Sequence, residues 1–164
     1  MVNITFRPIT PDDEPFLYRV YASTRLEELA PLQWSEAQMT EFLTMQFQAQ
    51  HTYYQEQFPN ASFQIILLDG QAIGRLYREL RGNNLHILDI ALLPEYRNQG
   101  IGTRLLQDII DEGDKGGHPV SIYVEFNNPA LRLYQRLGFH QIQIHGIYYY
   151  IERQPDATTV ENAE

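Results

Sequence analysis

β-Branched and aromatic residues crowd positions 2–9 (VNITFRPI) and stop at Thr10-Pro11, which predicts a first strand. The acidic run Asp12, Asp13, Glu14 that follows suits the opening of a helix, bounded before Pro31. Ser35 with Gln38 three positions on is a capping-box pattern. It predicts a second helix to about Gln57, with Phe42, Met45, Phe47, Tyr53 and Tyr54 as its expected buried faces and Pro59 closing it. The runs SFQIILL and AIGRLYREL flank Asp69-Gly70-Gln71, a hairpin signal, and Gly82-Asn83-Asn84 turns the chain into LHILDIALL, giving three antiparallel strands. Beyond Pro94 the period changes. Ile101, Leu105, Leu106, Ile109 and Ile110 recur at helical spacing up to Gly113, and a polar loop from Asp114 to Gly117 leads into VSIYVEF, so a strand, a helix and a strand form a crossover unit. Asn128 is placed to cap another helix, with Pro129 in its first position, Ala130, Leu133, Tyr134 and Leu137 on one face, and Gly138 as its stop. The last strands start at Phe139 and end with GIYYYIE at 146–152. One domain over residues 1–153 is expected, followed by a polar, mobile tail at 154–164.

Composition narrows the function more than the fold. With 43% hydrophobic and 20% charged residues over 164 positions the chain can bury a core, and no apolar run approaches the roughly 20 residues that cross a bilayer. The start MVNITFRPIT lacks the basic and apolar pattern of a secretory signal, and there is no cysteine, so a cytoplasmic protein without membrane attachment is expected. Twelve basic against 21 acidic residues give a net charge of −9, which argues against nucleic acid and suits cationic partners such as amines. His51, His86, His118, His140 and His145 show no zinc-ligand spacing, and no serine lies in a nucleophile-elbow sequence, so neither metal nor serine hydrolysis is expected.

The stretch that carries chemistry is LDIALLPEYRNQGIGTRLL, in which a strand ends at Pro94 and the loop Arg97-Asn98-Gln99-Gly100-Ile101-Gly102 opens into a helix. Backbone N–H groups at a helix start lack intrahelical acceptors, the dipole favours an anion there, and glycines allow close approach. Tight packing of the connection would account for the same glycines. The third glycine of the dinucleotide fingerprint is missing, as is the Gly-Lys-Ser/Thr of a P-loop. Arg97-x-x-Gly100-x-Gly102 after Leu-Pro-Glu-Tyr resembles the coenzyme A loop of the GCN5-related N-acetyltransferase (GNAT) superfamily. Asn127-x-x-Ala130-x-x-x-Tyr134-x-x-x-Gly138-Phe139 resembles that family's second motif.

The resemblance implies a mixed α/β fold, a mostly antiparallel sheet splayed between strands four and five and flanked by about four helices. It implies acetyl-CoA as cosubstrate and an amine as acceptor, joined by direct transfer in a ternary complex. Main-chain groups of Ile90, Ala91 and Leu92 would pair with the pantetheine amides, amides from Arg97 to Thr103 (Arg97, Asn98, Gln99, Gly100, Ile101, Gly102, Thr103) would hold the pyrophosphate, and Asn127 would bind the pantetheine arm. Tyr134 resembles the family's general acid, a phenol that stays protonated at pH 7. His86 is the first choice for the base, standing where many relatives carry glutamate and titrating near 6.5 when unperturbed. Asp89, on the other strand face if pairing is regular, is the second choice, and Glu79 and Glu125 remain open. Trp34 and the Tyr148-Tyr149-Tyr150 run read as packing residues. The acceptor is left open between a small-molecule amine, slightly favoured, and a protein lysine or N-terminus. A noncatalytic acyl-CoA-binding module is the rival from another class, and a homodimer is compatible with the sequence.

Overall fold

The structure, a computed structural model, describes residues 3–156. Strand β1 spans Ile4–Pro8 and leads through a 3₁₀ turn at Pro11–Asp13 into helix α1, Glu14–Leu29. Arg7 ties the strand to that turn, its Nη1 and Nη2 each donating to the Asp13 carboxylate at 2.8 Å. Helix α2, Glu36–Gln57, begins where the sequence places it, because Ser35 Oγ accepts from the Gln38 N–H at 3.1 Å while Gln38 Oε1 accepts from the Ser35 N–H at 3.0 Å. Leu43 and Phe47, one turn apart, bury that helix. Met45 and Tyr53, expected to be buried, are 59% and 54% exposed, since they fall off the stripe that Leu43 and Phe47 define.

Strands β2 (Ser62–Leu68) and β3 (Gln71–Arg81) form the expected hairpin, and both turn residues, Asp69 (φ 49°) and Gly70 (φ 85°), are left-handed as a type I′ turn requires. Strand β4, Asn84–Leu92, follows, and then helix α3, Ile101–Gly116. Its apolar stripe is buried at every position expected, Ile101, Leu105, Leu106, Ile109 and Ile110. Its end is a correction. Gly113 is an interior residue without room for a side chain, because a Cβ there would stand 2.7 Å from the carbonyl oxygen of His118, and the stop is the left-handed Gly117 (φ 71°). Strand β5 (Val120–Glu125), helix α4 (Leu131–Arg136), and strands β6 (His140–His145) and β7 (Tyr148–Arg153) complete the chain. Asn128 and Pro129 both lie ahead of α4, whose N-cap is Ala130, so the expected Asn128 cap is instead an Asx turn in which its Oδ1 accepts from the Ala130 N–H at 2.8 Å. Gly138 (φ 95°) ends it as expected. Most of the expected tail lies outside the described residues.

The seven strands run in the order β1-β2-β3-β4-β5-β7-β6, with β4 and β5 parallel and the β1–β2, β5–β7 and β6–β7 pairs antiparallel. This is the expected mixed, mostly antiparallel class. Two compact units divide the chain, one built from residues up to Leu76 with Ile90–Tyr96, the other from Tyr77–Asp89 with Arg97 onward. The first buries Leu17, Val20, Phe47, Ile65, Ile66 and Ile73. In the second, α3 lies on the face of the sheet that carries Leu85 and Val120, and the opposite face carries the polar residues described below.

Candidate active site

Within the second unit the parallel ladder joins Leu85, His86 and Ile87 to Val120, Ser121 and Ile122, and both strands continue past it. Such a short ladder fits the splay expected between the fourth and fifth strands. The loop that follows Pro94 turns through left-handed Asn98 (φ 60°) and Gly100 (φ 81°) and enters α3, where the Arg104 N–H is the first to bond back, to the Gly100 carbonyl at 3.1 Å. Gly100 needs no side chain for conformational reasons. Gly102 is different. It sits in the first turn of α3 without a left-handed φ, and, its chain neighbours and the helix's own backbone aside, no atom of the described residues lies within 4 Å of where its Cβ would stand. Neither backbone nor packing asks for glycine, which weakens a helix by roughly 0.5–1 kcal/mol relative to alanine. A space kept clear at the open end of a helix, beside N–H groups without helical partners, suits an anionic ligand. Thr103, Asn98, Gln99 and Gly100 are exposed there, Ile101 is buried, and Arg97 is half-buried.

Asn127 lies exposed in the turn after β5, which the Asn128 N–H closes on the Glu125 carbonyl at 3.1 Å. Tyr134, on α4, is 5% exposed with its ring edge-on to Phe139 at 5.5 Å. Burial pushes its phenol up to about 12, and the negative charge of Asp89 adds to the shift. A cavity of about 380 Å³ beside α4, lined by Leu131, Gln135, Phe139, Tyr149 and the start of β6, includes none of the expected site residues.

His86 lies on β4, three residues before Asp89. Its side chain sits beside Ser121, with Nδ1 2.8 Å from Ser121 Oγ, and its ring lies against both Tyr123, edge-on at 5.6 Å, and Tyr150, stacked at 6.2 Å. Burial, with a smaller push from the positive charge of Arg81, lowers the imidazole to about 4. At neutral pH it is uncharged. Of the other carboxylates considered, Glu79 pairs with Arg81, and Glu125 stands opposite Tyr148 at the end of β5.

In the first unit, Ile90 to Leu92 form the last part of β4, and the Leu93 N–H donates to the Ile73 carbonyl at 2.8 Å. Sequence reading missed Gly74. A Cβ there would overlap the carbonyl oxygen of Ala91 and stand 3.1 Å from Leu92 Cα, so the missing side chain leaves the notch in which this peptide lies. A lone glycine inside a strand pattern marks a close backbone approach, which was the available signal. Among the described residues there is no cluster of metal ligands, and no helix is long and apolar enough to cross a membrane.

A family model described as acetyltransferase (GNAT) family matches residues 25–139. An N-alpha-acetyltransferase of Sulfurisphaera tokodaii is 31% identical over 104 residues, covering 54% of this chain and 62% of its own. The ribosomal protein bS18-alanine N-acetyltransferase of Escherichia coli K12 is 38% identical over 66 residues, 38% of this chain and 44% of that one. A thialysine N-epsilon-acetyltransferase of Bos taurus is 36% identical over 64 residues, 38% of each chain. The matched stretch is less than two thirds of the length of these curated relatives. Among solved structures, the PaiA N-acetyltransferase of Thermoplasma acidophilum in complex with coenzyme A superposes with a TM-score of 0.68 at 21% identity, over 93% of this chain and 99% of that one.

Proposed function

The chain belongs to the acetyltransferase (GNAT) family, and on that premise we propose that it moves the acetyl group of acetyl-CoA directly onto an amine. The observation that carries the reading is the clear space at Gly102 in the open first turn of α3. The proposed domain covers residues 1–153, with a cytoplasmic site of action. Amides from Arg97 to Thr103 hold the pyrophosphate, main-chain groups of Ile90, Ala91 and Leu92 pair with the pantetheine amides, and Asn127 hydrogen-bonds the pantetheine arm. Tyr134 donates a hydrogen bond to the departing sulfur. The amine nitrogen attacks the thioester carbon, the C–N bond forms as the C–S bond breaks, the nitrogen gives up a proton and the sulfur takes one.

The role of His86 follows from its basicity. An alkylammonium near 10.4 would have to give its proton to an imidazole at about 4, uphill by more than six units or roughly 8–9 kcal/mol, so His86 does not deprotonate it. His86 instead accepts a hydrogen bond from an amine already neutral. An α-amine near 7.7–8.0 is roughly a tenth neutral at pH 7, whereas a lysine ε-amine is neutral in well under one molecule in a thousand. We therefore favour an α-amine acceptor, whether on a small molecule or at a peptide N-terminus. The names of the S. tokodaii and E. coli relatives support that choice.

The test is release of free CoA from acetyl-CoA with a panel of α-amines, alkylamines and short peptides. Turnover with α-amines above equally concentrated ε-amines is expected at pH 7. Tight acetyl-CoA binding without turnover on any amine would favour the noncatalytic binding module instead.

A further inference from the structure

The face of the second unit that carries His86 holds a chain of polar groups whose proton order can be worked out from one end. Glu152 on β7 stands opposite Ser121 on β5, and Ser121 stands opposite His86 on β4, so the three share a face of the sheet. An ionised carboxylate has no proton to give. Asn84 Nδ2 approaches Glu152 Oε2 and the Tyr150 hydroxyl at 3.4 Å each, and the Tyr150 hydroxyl donates to the same carboxylate at 3.3 Å. These contacts are long, but their sign is fixed, because turning the Asn84 amide over would aim its oxygen at the carboxylate. Asn84 Oδ1 is therefore the end that faces Ser121, and the Ser121 hydroxyl donates to it at 2.7 Å. The single proton of that hydroxyl is then used. The 2.8 Å contact between Ser121 Oγ and His86 Nδ1 is a bond in which the imidazole donates.

Nε2 is left as the lone-pair nitrogen. Ser121 is fully buried and His86 is 3% exposed, and among the described residues no donor meets Nε2. Nε2 is nevertheless not sealed off, since it is not among the buried polar atoms left without a partner, so an N–H or O–H from outside the chain can reach it. The surroundings suit an amine. Tyr123 and Tyr150 have their ring centroids 5.0 Å apart, Tyr123 is 41% exposed and opens the cluster to solvent, and the neighbouring cation, Arg81, is paired with Glu79.

We propose that Glu152, Asn84 and Ser121 are positioning residues for acetyl transfer, holding His86 as its Nδ1–H tautomer so that Nε2 accepts a hydrogen bond from an N–H of the acceptor amine. The acceptor role rests on the acetyl-transfer reading above, while the proton order stands on the hydrogen bonds alone. A single acceptor nitrogen in a fixed ring orients the attacking lone pair, and the amine must bring at least two N–H or N-alkyl positions of which one is N–H. Primary amines therefore react well and tertiary amines bind without purchase on His86.

The experiment is nitrogen-detected NMR of the full-length protein, which separates the two neutral imidazole tautomers directly. His86 is expected as the Nδ1–H form alone at pH 7, and titration with a dipeptide bearing a free α-amine is expected to move its Nε2 resonance. Ser121→Ala and Glu152→Gln should each mix the tautomers and lower kcat at least tenfold, with KM for acetyl-CoA kept within about twofold, and Ser121→Thr should restore both signals. An Nε2–H tautomer in the unaltered protein, or an Nε2 resonance that the dipeptide leaves unmoved, overturns the proposal. So does a Ser121→Ala variant whose tautomers mix while kcat stays unchanged. If the dipeptide moves Nε2 but no amine is ever acetylated, the failure is that of the acetyl-transfer reading and the site is an amine-binding one.

Discussion

Replacing Tyr134 by Phe removes one oxygen from a residue that is 5% exposed and keeps the ring that meets Phe139 at 5.5 Å. The fold should hardly notice. What is lost is a donor whose phenol burial and Asp89 together hold at about 12. An ordinary thiol titrates near 8.5, so outright proton transfer from Tyr134 to a thiolate is uphill by about 3.5 units, roughly 5 kcal/mol. On the proposed mechanism the hydroxyl therefore acts by donating a hydrogen bond as charge gathers on sulfur, and solvent completes the protonation. A hydrogen bond to a charged group contributes about 1.5–3 kcal/mol, which sets the expected fall in kcat at between about tenfold and 150-fold. CoA release measured over a range of acetyl-CoA concentrations gives kcat and KM, and calorimetry gives Kd for CoA. The expected result is a lower kcat with Kd unchanged within about twofold, and no rate limb from this phenol below about pH 10. An unchanged kcat, or a rise in Kd that accounts for the whole loss, would refute the assignment.

Gly102→Ala should raise thermal stability by about 0.5–1 kcal/mol, since the fold leaves room for the methyl group, while weakening acetyl-CoA binding at least tenfold by calorimetry. Gly74→Ala should destabilise by about 1–3 kcal/mol in urea and lower kcat/KM at least tenfold, because the new Cβ displaces the Ala91 peptide. Gly113→Ala, which presses on the His118 carbonyl instead, should destabilise comparably yet keep kcat/KM per folded molecule. The His86 imidazole is lowered from 6.5 unfolded to about 4 folded, so the unfolded chain binds more protons between those values. Its stabilising contribution is complete above pH 6.5 and is lost as pH falls toward 4. The total is about 2–3 kcal/mol after allowance for partial solvent contact, and His86→Gln should flatten that limb of a urea-stability profile by the same amount.

Local signals were the ones a sequence could yield. The capping box at Ser35 and Gln38 and the Asp69-Gly70 turn depend on residues within a few positions, and both stand as expected. Gly113 misled because a glycine that yields to a neighbouring carbonyl looks in sequence like one that ends a helix, and only the position of His118 tells them apart. The loop from Arg97 to Gly102 was legible from its spacing, but that packing does not require glycine at position 102 could be read only from the fold. The order Glu152, Asn84, Ser121, His86 was out of reach, since it depends on the registers of β4, β5 and β7 across residues 31 or more positions apart. Gly74 was marked only as a glycine inside a strand pattern, and which backbone comes close to it, that of Ala91 on the neighbouring strand, needed the fold.

Calorimetric titration of acetyl-CoA into the intact protein and into Gly102→Glu decides whether the start of α3 holds the phosphates of the cosubstrate. The variant places a carboxylate at a position where the fold has room for it, in the first turn of α3, where the account places the pyrophosphate. Saturable one-to-one binding by the intact protein, weakened at least a hundredfold in a variant that melts as the parent does, is the predicted result. Equal binding by both proteins would contradict the placement of the phosphate site, and no binding by the intact protein would contradict acetyl-CoA as its substrate.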